Sequence, residues 1–171
     1  ADTAAFTEAY GVPAEASANC VVVAARRAGQ TTLVACVVLA TTRADVNGLV
    51  RRHLGARKAS FAPQDVAVAE SGMAYGGITP IGLPGDWPVL VDAAVAKASW
   101  VVIGSGLRRS KVALSGAALA ALPTAEVLDG LGIITGSAPE DSRSALTAVE
   151  GVESVDEELT HQLPPPDAPV Q

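Results

Sequence analysis

The sequence holds only two cysteines, Cys20 and Cys36, and two histidines, His53 and His161, in 171 residues. Two cysteines make no disulfide framework, and two distant histidines offer no metal-ligand spacing. Apolar runs are short: the longest, Leu33 to Ala40, falls well below the ~20 residues a helix needs to cross a bilayer. No basic stretch leading into an apolar core opens the chain, so nothing marks it for secretion. The expectation is a cytoplasmic protein with no membrane association and no metal. Familiar catalytic sets are missing as well. There is no Gly-x-Ser-x-Gly elbow, and neither histidine stands near a plausible serine or cysteine partner in sequence. "GSGLRRSK" has the first two glycines of a dinucleotide fingerprint, but Arg109 occupies the third position and the Gly-Lys-Ser/Thr ending of a phosphate loop is absent. The scattered carboxylates Asp45, Asp65, Asp86 and Asp92 read as caps and turn residues rather than as a catalytic pair.

What the chain does have is apolar content of 49%, enough for one domain with a proper core. Its net charge of -6 is unevenly spread: residues 137 to 171 hold eight acids and one base, a net -7, which leaves +1 for residues 1 to 136. The acidic total therefore does not exclude an anionic partner for the body. The composition also changes at Ser137, becoming acidic and Ser-containing and then ending in "PPPDAP". Residues 1–136 are read as the domain and 137–171 as an acidic, Pro-containing appendage, expected to be a flexible tail with part of "SRSALTAVEGV" able to form a helix.

Along the body, "ADTAAFTEAYG" reads as a short helix with Asp2 near its start and Gly11 at its end. "NCVVVAA" and "TTLVACVVLA" are β-branched runs joined through "RRAGQ", a hairpin with Gly29 in the turn. A three-residue turn centred on Ala28 places Cys20 opposite Cys36 as two buried free thiols. Val46, Leu49, Val50 and Leu54 recur at helical spacing, Gly55 stops the helix, and Arg51, Arg52, Arg57 and Lys58 make its end basic. That cluster is either a solvated face or a phosphate contact. "ASFA" is a strand, and Pro63 and Gly72 bracket a helix. "PVLVD", "WVVIGSG" and "SKVAL" are strands, with "AAVAKAS" and a Ser115-capped "SGAALAAL" as short helical pieces. Strands outnumber helices and alternate with them irregularly, which predicts an α/β (α+β) fold rather than a regular βαβ winding.

Between these elements lies "MAYGGITPIGLPGDWP", residues 73 to 88. Gly76 and Gly77 permit positive φ or close approach of another group, while Pro80, Pro84 and Pro88 fix φ and remove donors. It is a stiff, bare loop, either a connection or the wall of a pocket. A second glycine-rich turn, "IGSGLRR", follows the strand "WVVIG".

Five motifs in order, "AYGVP", "LGARK", Gly72 with "GGITPIG", the Asp of "VLVD", and "GSGLRRSKVALSGAAL", resemble the YbaK and prolyl-tRNA synthetase editing-domain family of aminoacyl-tRNA deacylases, over roughly residues 2 to 122. The resemblance implies a mixed, largely antiparallel curved sheet with flanking helices. It implies a pocket for the aminoacyl group on the terminal ribose of tRNA, with Gly76, Gly77, Thr79, Pro80 and Gly82 on one wall and Gly104, Ser105 and Gly106 on the other. By this likeness the bare N–H groups of Gly76, Gly77 and Gly106 serve the oxyanion formed when water attacks the ester, and Thr79 or Ser105 positions the water. Arg51, Arg52, Arg108, Arg109 and Lys111 supply phosphate contacts to the tRNA acceptor end. No cofactor is implied, and a synthetase is a possible docking partner. The family carries a Lys at the start of its first core strand where this chain has Asn19, which keeps hydrogen bonding and loses the charge. Two activities follow as expectations: a trans-editing deacylase in which Asn19 orients the ribose or phosphate, or a catalytically silent module that binds an aminoacyl or nucleotide end.

Overall fold

The computed structural model describes residues 3–134, 142–149 and 155–156. The chain divides into two compact units, Ala1–Thr135 and Gly136–Gln171. In the second, α6 (Arg143–Thr147) forms a short helix, and the Arg143 guanidinium stands 4.0 Å from Asp156.

In the first unit, helix α1 (Thr3–Tyr10) ends where Gly11 turns to φ 65, its N–H donating to the Thr7 carbonyl. Asp2, expected near the start of this helix, lies outside the described residues. Strands β1 (Ala18–Arg27) and β2 (Gln30–Leu39) form the central hairpin. Its Val-rich runs lack polar alternation because both faces are covered. Val23, Val34, Cys36 and Val38 pack into one cluster with Val46, Val50 and Leu90, and Val21 lies against it. Ala18, Ala35 and Val37 pack on the opposite face with Val95, Val101 and Ile103, with Cys20 against them.

The hairpin corrects one expectation. Arg27 pairs with Gln30, so the turn has two residues, Ala28 at φ 49 and Gly29 at φ 82. Two successive positive φ values match the twist of the flanking strands. The register is then one step away from the three-residue reading: Cys20 pairs with Val37 and Val21 with Cys36. Because strand side chains alternate, the cysteines fall on opposite faces of the sheet. Both are free thiols. Burial pushes the Cys36 thiol up to about 12, and burial first, with the nearby Cys36 second, raises Cys20 still further. Neither is a nucleophile at neutral pH.

Beyond the hairpin, β3 (Arg43–Ala44) precedes a helical segment whose first turn, Val46–Val50, is π-wide and continues as α2 (Arg51–His53). Asp45 caps it, its carboxylate accepting from Gly48 N–H at 2.8 Å and Leu49 N–H at 2.6 Å. The expected apolar positions Val46 and Val50 are buried in the first cluster, and Gly55 ends the helix at φ 57. Then follow β4 (Lys58–Phe61), α3 (Gln64–Ser71), β5 (Val89–Asp92), α4 (Ala93–Lys97), β6 (Val101–Gly104), β7 (Lys111–Leu114), α5 (Gly116–Ala120), β8 (Ala125–Leu128) and β9 (Gly132–Ile133).

The main sheet has the order β4-β1-β2-β5-β8. Its β1–β2 and β1–β4 pairs are antiparallel, while β2–β5 and β5–β8 are parallel. The β6–β7 and β3–β9 pairs are antiparallel. The fold is mixed α/β, mostly antiparallel, with flanking helices. Among the described residues no helix is long and apolar enough to cross a membrane.

Asp92, the carboxylate of "VLVD", is 6% exposed and holds three elements together. One oxygen caps α4 by accepting from Ala94 N–H at 2.7 Å, and the other accepts from Gly132 N–H at the start of β9. Asp92→Ala removes the cap and leaves the Gly132 donor without its acceptor, so we expect a loss of about 2–4 kcal/mol. Asp92→Asn, which keeps one carbonyl oxygen, is expected to lose less. Urea unfolding of both variants checks this.

Candidate functional site

The two glycine-rich turns meet backbone to backbone. Ala74 N–H donates to the Gly106 carbonyl at 2.8 Å, and Gly106 N–H donates to the Gly77 carbonyl at 2.8 Å. The approach leaves no room for side chains at two positions. A Cβ on Gly77 would stand 2.5 Å from the Leu107 carbonyl carbon and 2.8 Å from Arg108 N, and one on Gly104 would stand 2.5 Å from the Gly77 oxygen. Gly76 and Gly106 are glycines for a different reason, φ values of 75 and 85. Strand β6 delivers Gly104 to the seam as its last, fully paired residue, opposite Lys111. The 73–88 loop is anchored on the other side by Trp87, 6% exposed, which packs with Val22, Ala67, Ile78 and Leu83.

These bonds correct the expected roles of two glycines. Gly77 N–H donates to the Ala74 carbonyl at 2.9 Å and Gly106 N–H to Gly77, so neither is a bare donor aimed at substrate. Among the described residues, the N–H groups of Gly76 and Ser105 have no acceptor. The backbone of the two turns is thus divided between donors that build the seam and donors left over at its edges.

Thr79 is 3% exposed and, among the described residues, its hydroxyl has no hydrogen-bond partner. Its N–H leans on the Met73 sulfur at 3.4 Å, and the Met73 side chain also comes within 3.6 Å of where a Cβ on Gly106 would lie. An unsatisfied buried hydroxyl calls for an ordered water or a ligand atom. Pro80 is buried beside it, while Gly82, at φ 79, stands in open space at the far end of the loop. On the second turn, Ser105 and Ser110 share a 2.6 Å hydrogen bond between their hydroxyls, which ties the turn across its base.

Asn19 lies at the same level as this seam. Ser17 bridges Val102 in the parallel sense, and two residues further along each segment come Asn19 and Gly104. Alternation along β1, however, sends the Asn19 side chain to the face of Val21 and Val23, whereas the 73–88 loop packs on the Val22 face. The backbone of Asn19 is brought to the seam; its side chain is directed to the other side of the sheet.

The expected phosphate contacts fall into two groups. Arg108 and Arg109 are exposed on the second turn, and Lys111 begins β7 with its ammonium 5.7 Å from the Phe6 ring centroid. Arg51 and Arg52 are exposed on α2, where Arg51 shares a surface depression with Asn47, Arg57 and Lys58. Sequence reasoning missed Tyr75. It is 53% exposed beside the double glycine, and the Arg108 guanidinium stands 6.0 Å from its ring centroid. An aromatic flanking a glycine pair was the available signal, and a base-sized planar surface at the mouth of the seam is its result. Among the described residues no group of three or more His, Cys, Asp or Glu is placed to hold a metal ion.

Comparison with known proteins gives the same family by an independent route. No curated protein matches the chain in sequence. Among solved structures the chain is similar to the hypothetical protein APE2540, at 20% identity and TM-score 0.69, covering 77% of this chain and 84% of that one. It is also similar to a candidate trans-editing enzyme for prolyl tRNA synthetase, at 22% identity and TM-score 0.63, covering 72% of this chain and 75% of that one. These likenesses show a shared fold. The family model for the aminoacyl-tRNA editing domain matches residues 1–122, which takes in β1 through α5 and both glycine-rich turns, so the chain belongs to the aminoacyl-tRNA editing domain family.

Proposed function

We propose that the domain is a trans-acting deacylase that hydrolyses the ester between a mischarged amino acid and the terminal ribose of tRNA. Family membership supplies the substrate class. The observation that carries the chemistry is the buried, unpartnered Thr79 hydroxyl beside the glycine seam. It holds the attacking water. Water oxygen bonds to the ester carbonyl carbon, and the bond from that carbon to the ribose oxygen breaks. One of the water's two protons goes to the ribose oxygen, which becomes a hydroxyl again, and the other to solvent as the amino acid leaves as its carboxylate. The donors left over at the seam, Gly76 and Ser105 N–H, serve the oxyanion in between, and fixed donors of this kind need no reorganisation during reaction. Tyr75 with Arg108 offers a face for the terminal base. The similarity to a candidate trans-editing enzyme for prolyl tRNA synthetase supports action apart from a synthetase active site.

The test is hydrolysis of tRNAs mischarged with a panel of amino acids, by wild type and Thr79→Val. The variant is expected to lose at least tenfold in rate with no loss of unfolding free energy, because removing an unsatisfied buried hydroxyl relieves a desolvation cost. Equal rates in the two proteins overturn the role of Thr79, and hydrolysis of no substrate overturns the deacylase. A second reading, a silent module that binds the same end, is favoured by Asn19 in place of the family lysine and by the direction of its side chain.

A further inference from the structure

At the far end of the β1–β2 hairpin from the glycine seam the chain gathers five cations, of which only Arg51 is among the phosphate contacts expected above. Arg26 on β1 is the direct cross-strand partner of Lys58 on β4. Arg57 N–H donates to the Arg26 carbonyl at 2.9 Å, which fixes Arg57 beside them. The Arg27 guanidinium lies over Gly55, 3.4 Å from where a Cβ would stand. Arg51 joins from α2. Two contiguous shallow depressions are lined by these side chains and share Arg57 and Lys58. Among the described residues none of the five takes part in an ion pair. Asp45, the acid on the neighbouring helix, is committed to capping Gly48 and Leu49.

Like charges directly opposite in an antiparallel pair destabilise the sheet, and among the described residues no carboxylate is paired with Arg26 or Lys58. A bound polyanion does. The cations are exposed, spread over open depressions, and come from β1, the turn before β4, β4 itself and α2, so no closed cradle for a single phosphate is built. An extended row of phosphates fits this layout. Arg26 is seven residues along β1 from Asn19, roughly 23 Å at ~3.3 Å per residue, a separation on the order of seven backbone phosphates.

We infer that this hairpin-tip surface grips the phosphate backbone of the RNA duplex behind the 3′ end that enters the seam. The inference deepens the proposed function and rests on it for the identity of the RNA. It divides the labour: the seam reads the ester, and the tip supplies sequence-independent affinity.

The experiment uses the full chain and an unacylated RNA hairpin with a single-stranded 3′ end, with binding followed by fluorescence anisotropy across a salt series. Arg26→Gln/Arg57→Gln/Lys58→Gln is expected to weaken binding at least tenfold at about 100 mM salt and to lower the salt slope by about 2–3. The single neutralisations, each at an exposed side chain, are expected to lower it by about 1, and Arg26→Lys/Arg57→Lys is expected to retain wild-type binding. Lys97→Gln, a distant exposed site paired with Asp129, is the control and should leave the slope unchanged. A second arm follows hydrolysis of an aminoacylated adenosine, which lacks the duplex; the triple variant should process it at the wild-type rate. Unchanged affinity and slope in the neutralised variants overturn the inference. If wild type hydrolyses neither ester, the deacylase falls, while the anisotropy arm still decides the surface.

Discussion

Gly77→Ala is expected to reduce deacylation by a factor of about 10² to 10³, the loss seen when an oxyanion site is disrupted, and to cost about 1–3 kcal/mol of stability as overpacking does. The reason is steric. The clashing atoms are Leu107 and Arg108 main chain, which cannot swing aside as a side chain does. The seam has to open, and the Gly106-to-Gly77 and Ala74-to-Gly106 hydrogen bonds go with it. A control separates clash from backbone strain. Gly11→Ala, at φ 65 with nothing within 4 Å, carries a left-handed penalty of roughly 1–2 kcal/mol and should leave catalysis alone. Steady-state rates on a mischarged tRNA together with thermal melting check both. A Gly77→Ala protein with wild-type rate would mean that the seam is not the site.

Asn19→Lys is expected to raise the rate of deacylation by about 10- to 100-fold, the range of 1.5–3 kcal/mol for a hydrogen bond to a charged group. The gain should be larger at low salt if the new ammonium meets a phosphate. The outcome also reports on geometry. The β1 backbone at Asn19 stands level with Gly104, while alternation turns the side chain toward the Val21 face, so a gain in rate would mean that the new ammonium acts on the ribose or phosphate end from that face. If both wild type and Asn19→Lys fold and neither hydrolyses any ester, the silent binding module stands. If Asn19→Ala matches an active wild type, Asn19 takes no part and the turns suffice.

Periodicity and capping chemistry carried most of the fold. Asp45, Gly55, Gly72 and Ser115 cap or end helices as their types predict, and Val-rich runs became the central hairpin. The failure at the hairpin turn has a single physical source. Alanine at φ 49 is uncommon, so "RRAGQ" pointed to a longer loop with one glycine in the left-handed region, and one residue of slip moved Cys20 and Cys36 to opposite faces. The glycine turns were recognisable, but the purpose of each glycine was not. Gly77 and Gly104 admit a neighbouring backbone, Gly76 and Gly106 allow a positive φ, and sequence writes all four with one letter. The basic tip was legible only in part: Arg51, Arg57 and Lys58 stand close together in sequence, whereas Arg26 and Lys58 are 32 positions apart and become neighbours only through the β1–β4 register.

Strand β8 lies past residue 122, where the family match stops, yet it pairs along the whole of β5, from Val89↔Ala125 to Asp92↔Leu128. A chain cut at the end of the matched segment would uncover the hydrogen-bonding edge of a strand whose four residues are all buried. Such an edge is a template for another molecule. Strand β8 therefore guards the edge of β5, and a fragment ending at residue 122 would both be prone to pair with its own copies and lose the Gly132 N–H that Asp92 accepts, so a loss of activity in it would not by itself point to a missing catalytic group.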